Sequence, residues 1–215
     1  MKTEFASAVG AIAYALTTQY QILVYVVALQ RRAHDPLAMH LRRANALIRH
    51  IQRYPQSVTY KAMECMRQLE TGSGSGFSKE AEKGYAIRGA NHCRLGKTAD
   101  GNIVRHLFDS ICRSQRRVTR STFSSELYAA VDATDEMLSH ALCLHEIAVG
   151  PRSCDETLRA AESGELCFKI TVMIDAMSVW QAVSAIVVRE PAETGLGIHI
   201  YIGYVKSWIE ASCTD

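Results

Sequence analysis

Three observations in the sequence predict an α/β fold built on a mixed sheet. Phe168-Lys-Ile-Thr-Val-Met-Ile174 is a nearly unbroken apolar run of the kind a central strand needs. Short β-like segments carrying Tyr85, Ile87, Ile103, Leu107 and Ile111 flank the turn-rich Gly96-Lys-Thr-Ala-Asp-Gly101, which reads as a hairpin. Between hairpin and central strand, helical periodicity runs from about Thr122 to Ile147. Strands, helix, strand, helix in that order form an α/β pattern.

The chain opens with helices rather than strands. Val9, Ile12 and Leu16, then Ile22, Val26 and Leu29, recur at three- and four-residue spacing. Residues 8–29 are largely apolar, and a membrane span wants about 20 such residues. Thr17-Thr-Gln-Tyr-Gln21 interrupts them, so two short amphipathic helices with a polar junction are expected, and no membrane partner. His34-Asp-Pro36 is a break, with Asp35 as cap and Pro36 in the next helix's first turn. That helix sets Leu37, Leu41, Ala44, Leu47 and Ile51 against a basic face of Arg42, Arg43, Arg49 and Arg53, and Tyr54-Pro55 ends it.

Thr71-Gly-Ser-Gly-Ser-Gly76 has the composition of a flexible linker. The long helix takes Ser121 or Thr122 as its N-cap and a core stripe of Leu127, Val131, Thr134, Leu138 and Ala141. Gly150-Pro151 closes it. After the central strand, Val179, Trp180, Val183 and Ile186 mark another helix, and a last helix is expected over Leu196–Ala211.

Composition sets bounds. At 215 residues the chain holds one generous domain, or one with a helical appendage. With 48% hydrophobic and 21% charged residues it is a folded chain rather than a disordered one. The net charge of +2 argues for no partner by itself, whereas its clustering does. Seven cysteines form no C-x-x-C pair, so neither a zinc site nor a redox motif is read from them. Scattered thiols and no signal peptide place the chain in an intracellular, reducing compartment, cytoplasm or nucleus.

Two acids stand where chemistry could occur. Asp175 closes the central strand just before a helix, the position at which open α/β sheets build sites, although such a residue also serves as a plain helix cap. Glu126 lies one turn into the long helix on the flank of its apolar stripe, where an acid is also favourable with the helix dipole. Either residue alone leaves both readings open. Arg113, Arg116, Arg117 and Arg120 lead into the same helix N-terminus, a place suited to phosphates or a solvated hairpin end.

Taken in order, the motifs resemble a family. Thr119-Arg-Ser-Thr-Phe-Ser-Ser-Glu-Leu-Tyr-Ala-Ala-Val-Asp-Ala133 and Ile174-Asp-Ala-Met-Ser-Val179 are similar to the Glu-bearing helix and strand-ending Asp of the RNase H domain of copia-type retroelement polyproteins. Phe5-Ala-Ser-Ala-Val-Gly-Ala-Ile-Ala-Tyr-Ala15 and Leu41-Arg-Arg-Ala-Asn-Ala-Leu-Ile-Arg-His-Ile51 resemble the stretch between reverse transcriptase and RNase H there. His199-Ile-Tyr-Ile-Gly-Tyr204 resembles the family's His-Ile-x-Ile-Arg-Tyr segment.

The resemblance implies an RNase H-like mixed sheet over 57–215, preceded by a helical connection segment over 1–56 that follows reverse transcriptase. It implies hydrolysis of the RNA strand of RNA–DNA hybrids by two Mg²⁺ (or Mn²⁺) ions, with Glu126 and Asp175 as catalytic metal ligands. Hard cations about 4 Å apart need clustered carboxylates. The family's first strand carries Ser-Asp-x-x-Phe, and Gly74 stands where that Asp belongs in Ser73-Gly-Ser-Gly-Phe77. The Gly/Ser run is therefore expected to be an eroded active-site strand rather than a linker. The family's last acid has no counterpart before Asp215, so the final strand and helix are expected to be truncated. The expectation is a catalytically dead ribonuclease H, a pseudoenzyme that keeps nucleic-acid contact through Arg113, Arg116, Arg117 and Arg120. The reading from another class is a non-enzymatic α/β nucleic-acid-binding or interaction module.

Overall fold

The computed structural model describes residues 2–76, 85–115, 118–189 and 198–202. The chain divides into two compact units, Met1–Tyr60 and Lys61–Asp215.

The first unit is helical: α1 (Lys2–Ala15), a 3₁₀ turn at Tyr20–Ile22 running into α2 (Leu23–Gln30), and α3 (Ala38–Arg53). The polar junction does separate two helices, and Gln19, buried there, donates from Nε2 to the Tyr54 carbonyl (3.3 Å). Phe5, Val9, Ile12, Ile22, Val26, Leu29 and Ala44 form its core, matching the spacing read from the sequence. The entry to α3 differs from the expectation. The helix begins at Ala38, too late for Asp35 to cap it, and the Leu37 N–H is taken up by His40 Nδ1 instead (3.0 Å). Among the described residues no helix is long and apolar enough to cross a membrane.

The second unit is the α/β domain. β1 (Cys65–Gly76), β2 (Ile87–Lys97), β3 (Ile103–Ser114), β4 (Lys169–Ile174) and β5 (Ile198–Ile202) form one sheet in the order β3-β2-β1-β4-β5. β1, β2 and β3 pair antiparallel, while β4 and β5 run parallel to β1 and β4, so the sheet is mixed as expected. The β2–β3 turn places Gly101 at φ +78°, a conformation glycine adopts without steric cost. The Gly/Ser run is strand, not linker: Gly72, Ser73 and Gly74 pair with Asn91, Ala90 and Gly89 on one side, and Ser73 with Ile174 on the other.

α4 (Thr122–Val149) packs across the sheet, capped by Ser121, whose hydroxyl accepts from the Ser124 N–H (3.1 Å). Its buried face corrects the expected stripe. Val131 is exposed, and Ser125, Ala129, Ala130, Ala133, Met137, Ala141 and His145 face inward. Small residues let the helix axis approach the strands closely, while Leu127 and Leu138 flank the core of Leu69, Met137, Phe168, Ile170, Val172, Ile174 and Val179.

Two further elements depart from the sequence reading. α5 (Cys154–Glu162) was not anticipated, although Ser153-Cys-Asp-Glu156 is a capping box and forms one here: Ser153 N–H donates to Glu156 (2.9 Å) and Glu156 N–H to the Ser153 hydroxyl (3.3 Å). The helix expected over Leu196–Ala211 is contradicted at its start, where Ile198–Ile202 is β5. Alternating β-branched residues add this segment to the edge of β4. The remainder of that expected helix, and the expected truncation after it, lie outside the described residues. α6 (Met177–Arg189) follows β4 as anticipated.

Candidate functional site

The parallel register of β1 and β4 ends at the pair Ser73–Ile174. Asp175, the next residue, therefore stands abreast of Gly74, in the bend between β4 and α6, and is exposed. α6 begins at Met177 and Trp180 N–H bonds the Ala176 carbonyl, which puts Ala176 at the cap position and Asp175 before it. Glu126 comes from the other direction. It is half-buried near the start of α4, and its Oε2 accepts from the Ser75 N–H (3.0 Å), immediately beyond Gly74. Ser75 has no β4 partner, so Glu126 occupies the strand edge that β4 leaves uncovered.

Burial pushes the Glu126 carboxyl above its ordinary value, and the charge of Asp175 adds to the rise, against hydrogen bonding from Ser75. The Asp175 charge therefore works against ionisation of Glu126. Gly74 contributes no side chain beside them. Nothing in the fold requires a glycine there, because the backbone is extended β1 and a Cβ would meet no atom within 4 Å. Side chains alternate along a strand. With Leu69 in the core against α4, alternation would send a side chain at 74 to the sheet face opposite α4, abreast of Asp175.

The donor set is half of what a pair of hard cations needs. Two carboxylates can hold one divalent ion loosely, and they cannot ligate and neutralise two ions about 4 Å apart. No two-metal step is derived from these residues.

The arginines distribute unevenly. Arg120 is exposed directly before the α4 cap. Arg113, at the end of β3, is exposed but turns to Glu136 on α4 (3.1 Å), away from the helix N-terminus. Arg116 and Arg117 lie outside the described residues.

A second group of side chains escaped the sequence reading. His92 on β2, Asp109 on β3 and His140 on α4 bring potential ligand atoms within 4.8 Å of one another. The three are far apart in sequence and match no ligand spacing. The one local signal was Glu136-x-x-x-His140, which puts both residues on one helix face.

No family model matches the chain, and no curated protein does. Among solved structures it is similar to the crystal structure of the prototype foamy virus protease–reverse transcriptase (native), at 8% identity and a TM-score of 0.29, covering 78% of this chain and 24% of that one. A likeness of that size carries no argument about fold or function.

Proposed function

We propose that the chain is the RNase H-like part of a copia-type retroelement polyprotein, one that retains contact with RNA–DNA hybrids after losing their hydrolysis. One observation carries this reading: Glu126, one turn into the long helix, accepts from the Ser75 N–H, and Asp175, just past the core strand, stands abreast of Gly74, so both acids come to the same end of β1. The mutual repulsion of the two acids is what a divalent cation such as Mg²⁺ would relieve. Gly74 takes the first ligand away, which turns a family endonuclease into a pseudoenzyme. On this reading residues 1–56 are the connection segment, and the reverse transcriptase portion of the same polyprotein is the natural partner.

Binding would run through charge at the α4 N-terminus, where Arg120 is exposed and Arg116 and Arg117 precede it. Fluorescence anisotropy of a labelled RNA–DNA hybrid at several salt concentrations tests this. Affinity should fall with salt, and the double variant Arg116→Ala/Arg117→Ala should flatten the logarithmic salt slope by about two. A slope unchanged by the double variant would remove the hybrid interface. Mg²⁺-dependent cleavage of that hybrid above background would remove the loss of hydrolysis.

A further inference from the structure

We propose that His92, Asp109 and His140 form a binding site for one borderline divalent transition ion, of which Zn²⁺ is the representative, pinning the β2–β3 hairpin to α4. The site is independent of the Glu126–Asp175 edge and of any nucleic-acid reading.

The geometry starts with a β-bulge. His92 pairs with Asp109, whereas the neighbouring Cys93 pairs with Leu107, leaving Phe108 as the extra residue. Strict alternation would send Phe108 and Asp109 to opposite faces. The bulge lets both meet the same α4 residue. Phe108 packs edge-on against the His140 ring (centroids 5.2 Å apart), and Asp109 Oδ2 lies 3.1 Å from His140 Nε2. Asp109 is held by its other oxygen, Oδ1, which accepts from the Ser110 N–H (2.8 Å).

His92 supplies the observation that points to a ligand. Its side chain is completely buried, yet neither ring nitrogen makes a hydrogen bond. Leaving a buried polar group unsatisfied is costly, and native proteins rarely leave one so. The ring lies edge-on to His140 (centroids 5.3 Å apart), and its Nε2 is 3.7 Å from Glu136 Oε2. Complete burial disfavours the charged imidazolium, and a neutral imidazole is the form that binds a metal.

Two borderline imidazoles beside one carboxylate suit zinc-type ions better than Mg²⁺. Tetrahedral ligands at about 2.0–2.1 Å from an ion stand roughly 3.3 Å from each other. The present spread of 4.8 Å closes to that by side-chain rotation of His140 and Asp109, both partly exposed. That exposure also provides an entry path and room for water as fourth ligand. Glu136, oriented by Arg113, stands next to His92 as a further acceptor.

The experiment is Zn²⁺ titration of the purified, chelator-stripped chain by calorimetry and thermal shift, with Co²⁺ as spectroscopic probe. The expected result is one ion per chain with a raised Tm. Asp109→Asn and His140→Gln should each weaken binding at least tenfold, about the loss that even an outer partner of a metal causes. Glu126→Gln should leave it unchanged. Co²⁺ should give visible ligand-field bands without thiolate charge transfer, a readout that stands even where one variant folds poorly. No ion bound, binding indifferent to both Asp109→Asn and His140→Gln, binding lost in Glu126→Gln, or a thiolate band would each overturn the proposal.

Discussion

Replacing Gly74 with Asp is expected to raise the affinity of the chain for Mg²⁺ at least tenfold. A third carboxylate would stand abreast of Asp175 at the end of β1, and a direct ligand should matter no less than the outer partners whose loss costs about 10–100-fold. The substitution is sterically open, because a Cβ at 74 meets nothing within 4 Å. Without metal the same change should lower Tm relative to Gly74→Asn, which adds similar volume without charge. The two existing acids already repel, and a third deepens the repulsion. Thermal-shift titration with MgCl₂ across the Gly, Asn and Asp forms reads both effects. Equal Mg²⁺ responses in all three would mean that position 74 does not address the Glu126–Asp175 edge.

The second large effect is acid destabilisation through His92. Burial first, then the neighbouring His140, lower its pKa from 6.5 to about 4, with Asp109 acting in the opposite direction. The groups facing it are His140 and Glu136 on α4 and Asp109 on β3, with Arg113 paired to Glu136. A depressed histidine pKa means that the unfolded chain takes up the proton first. Its contribution to stability is therefore intact above about pH 6.5 and is lost as pH falls towards 4. The full loss is about 3 kcal/mol, at 1.36 kcal/mol per pH unit. Urea melts in EDTA should show wild type losing stability relative to His92→Leu over that window. Parallel curves for the two proteins would show that His92 does not carry the effect.

Much of the fold was readable in the sequence because hydrophobic periodicity and turn chemistry agreed with it. The β2–β3 hairpin, α4 and β4 fall where Gly96–Gly101, Ser121 and Phe168–Ile174 placed them. β1 was readable only through the resemblance, since glycine and serine carry no strand propensity and pairing on both sides overrides that deficit. The α4 stripe was misjudged at Val131 because apolarity alone undervalues alanine, whose small size decides which face meets a sheet. β5 is not separable from helix in the sequence because a short apolar run does not distinguish the two periods.

The functional residues divide the same way. Glu126 and Asp175 could be picked out from their places at a helix start and a strand end. The cluster of His92, Asp109 and His140 could not, because a bulge at Phe108 and a helix crossing assemble it from three separate elements. Arg113 shows a pairing that the sequence does not reveal. Its position suggested phosphate contact, and its guanidinium is engaged by Glu136.

The meeting of Glu126 and Asp175 is tested most directly by titrating the Glu126 side-chain carboxyl by carbon NMR in the wild-type chain and in Asp175→Asn. The expected result is a raised Glu126 pKa in the wild type that moves back towards the ordinary glutamate range once the Asp175 charge is removed. A Glu126 titration identical in the two proteins would contradict it.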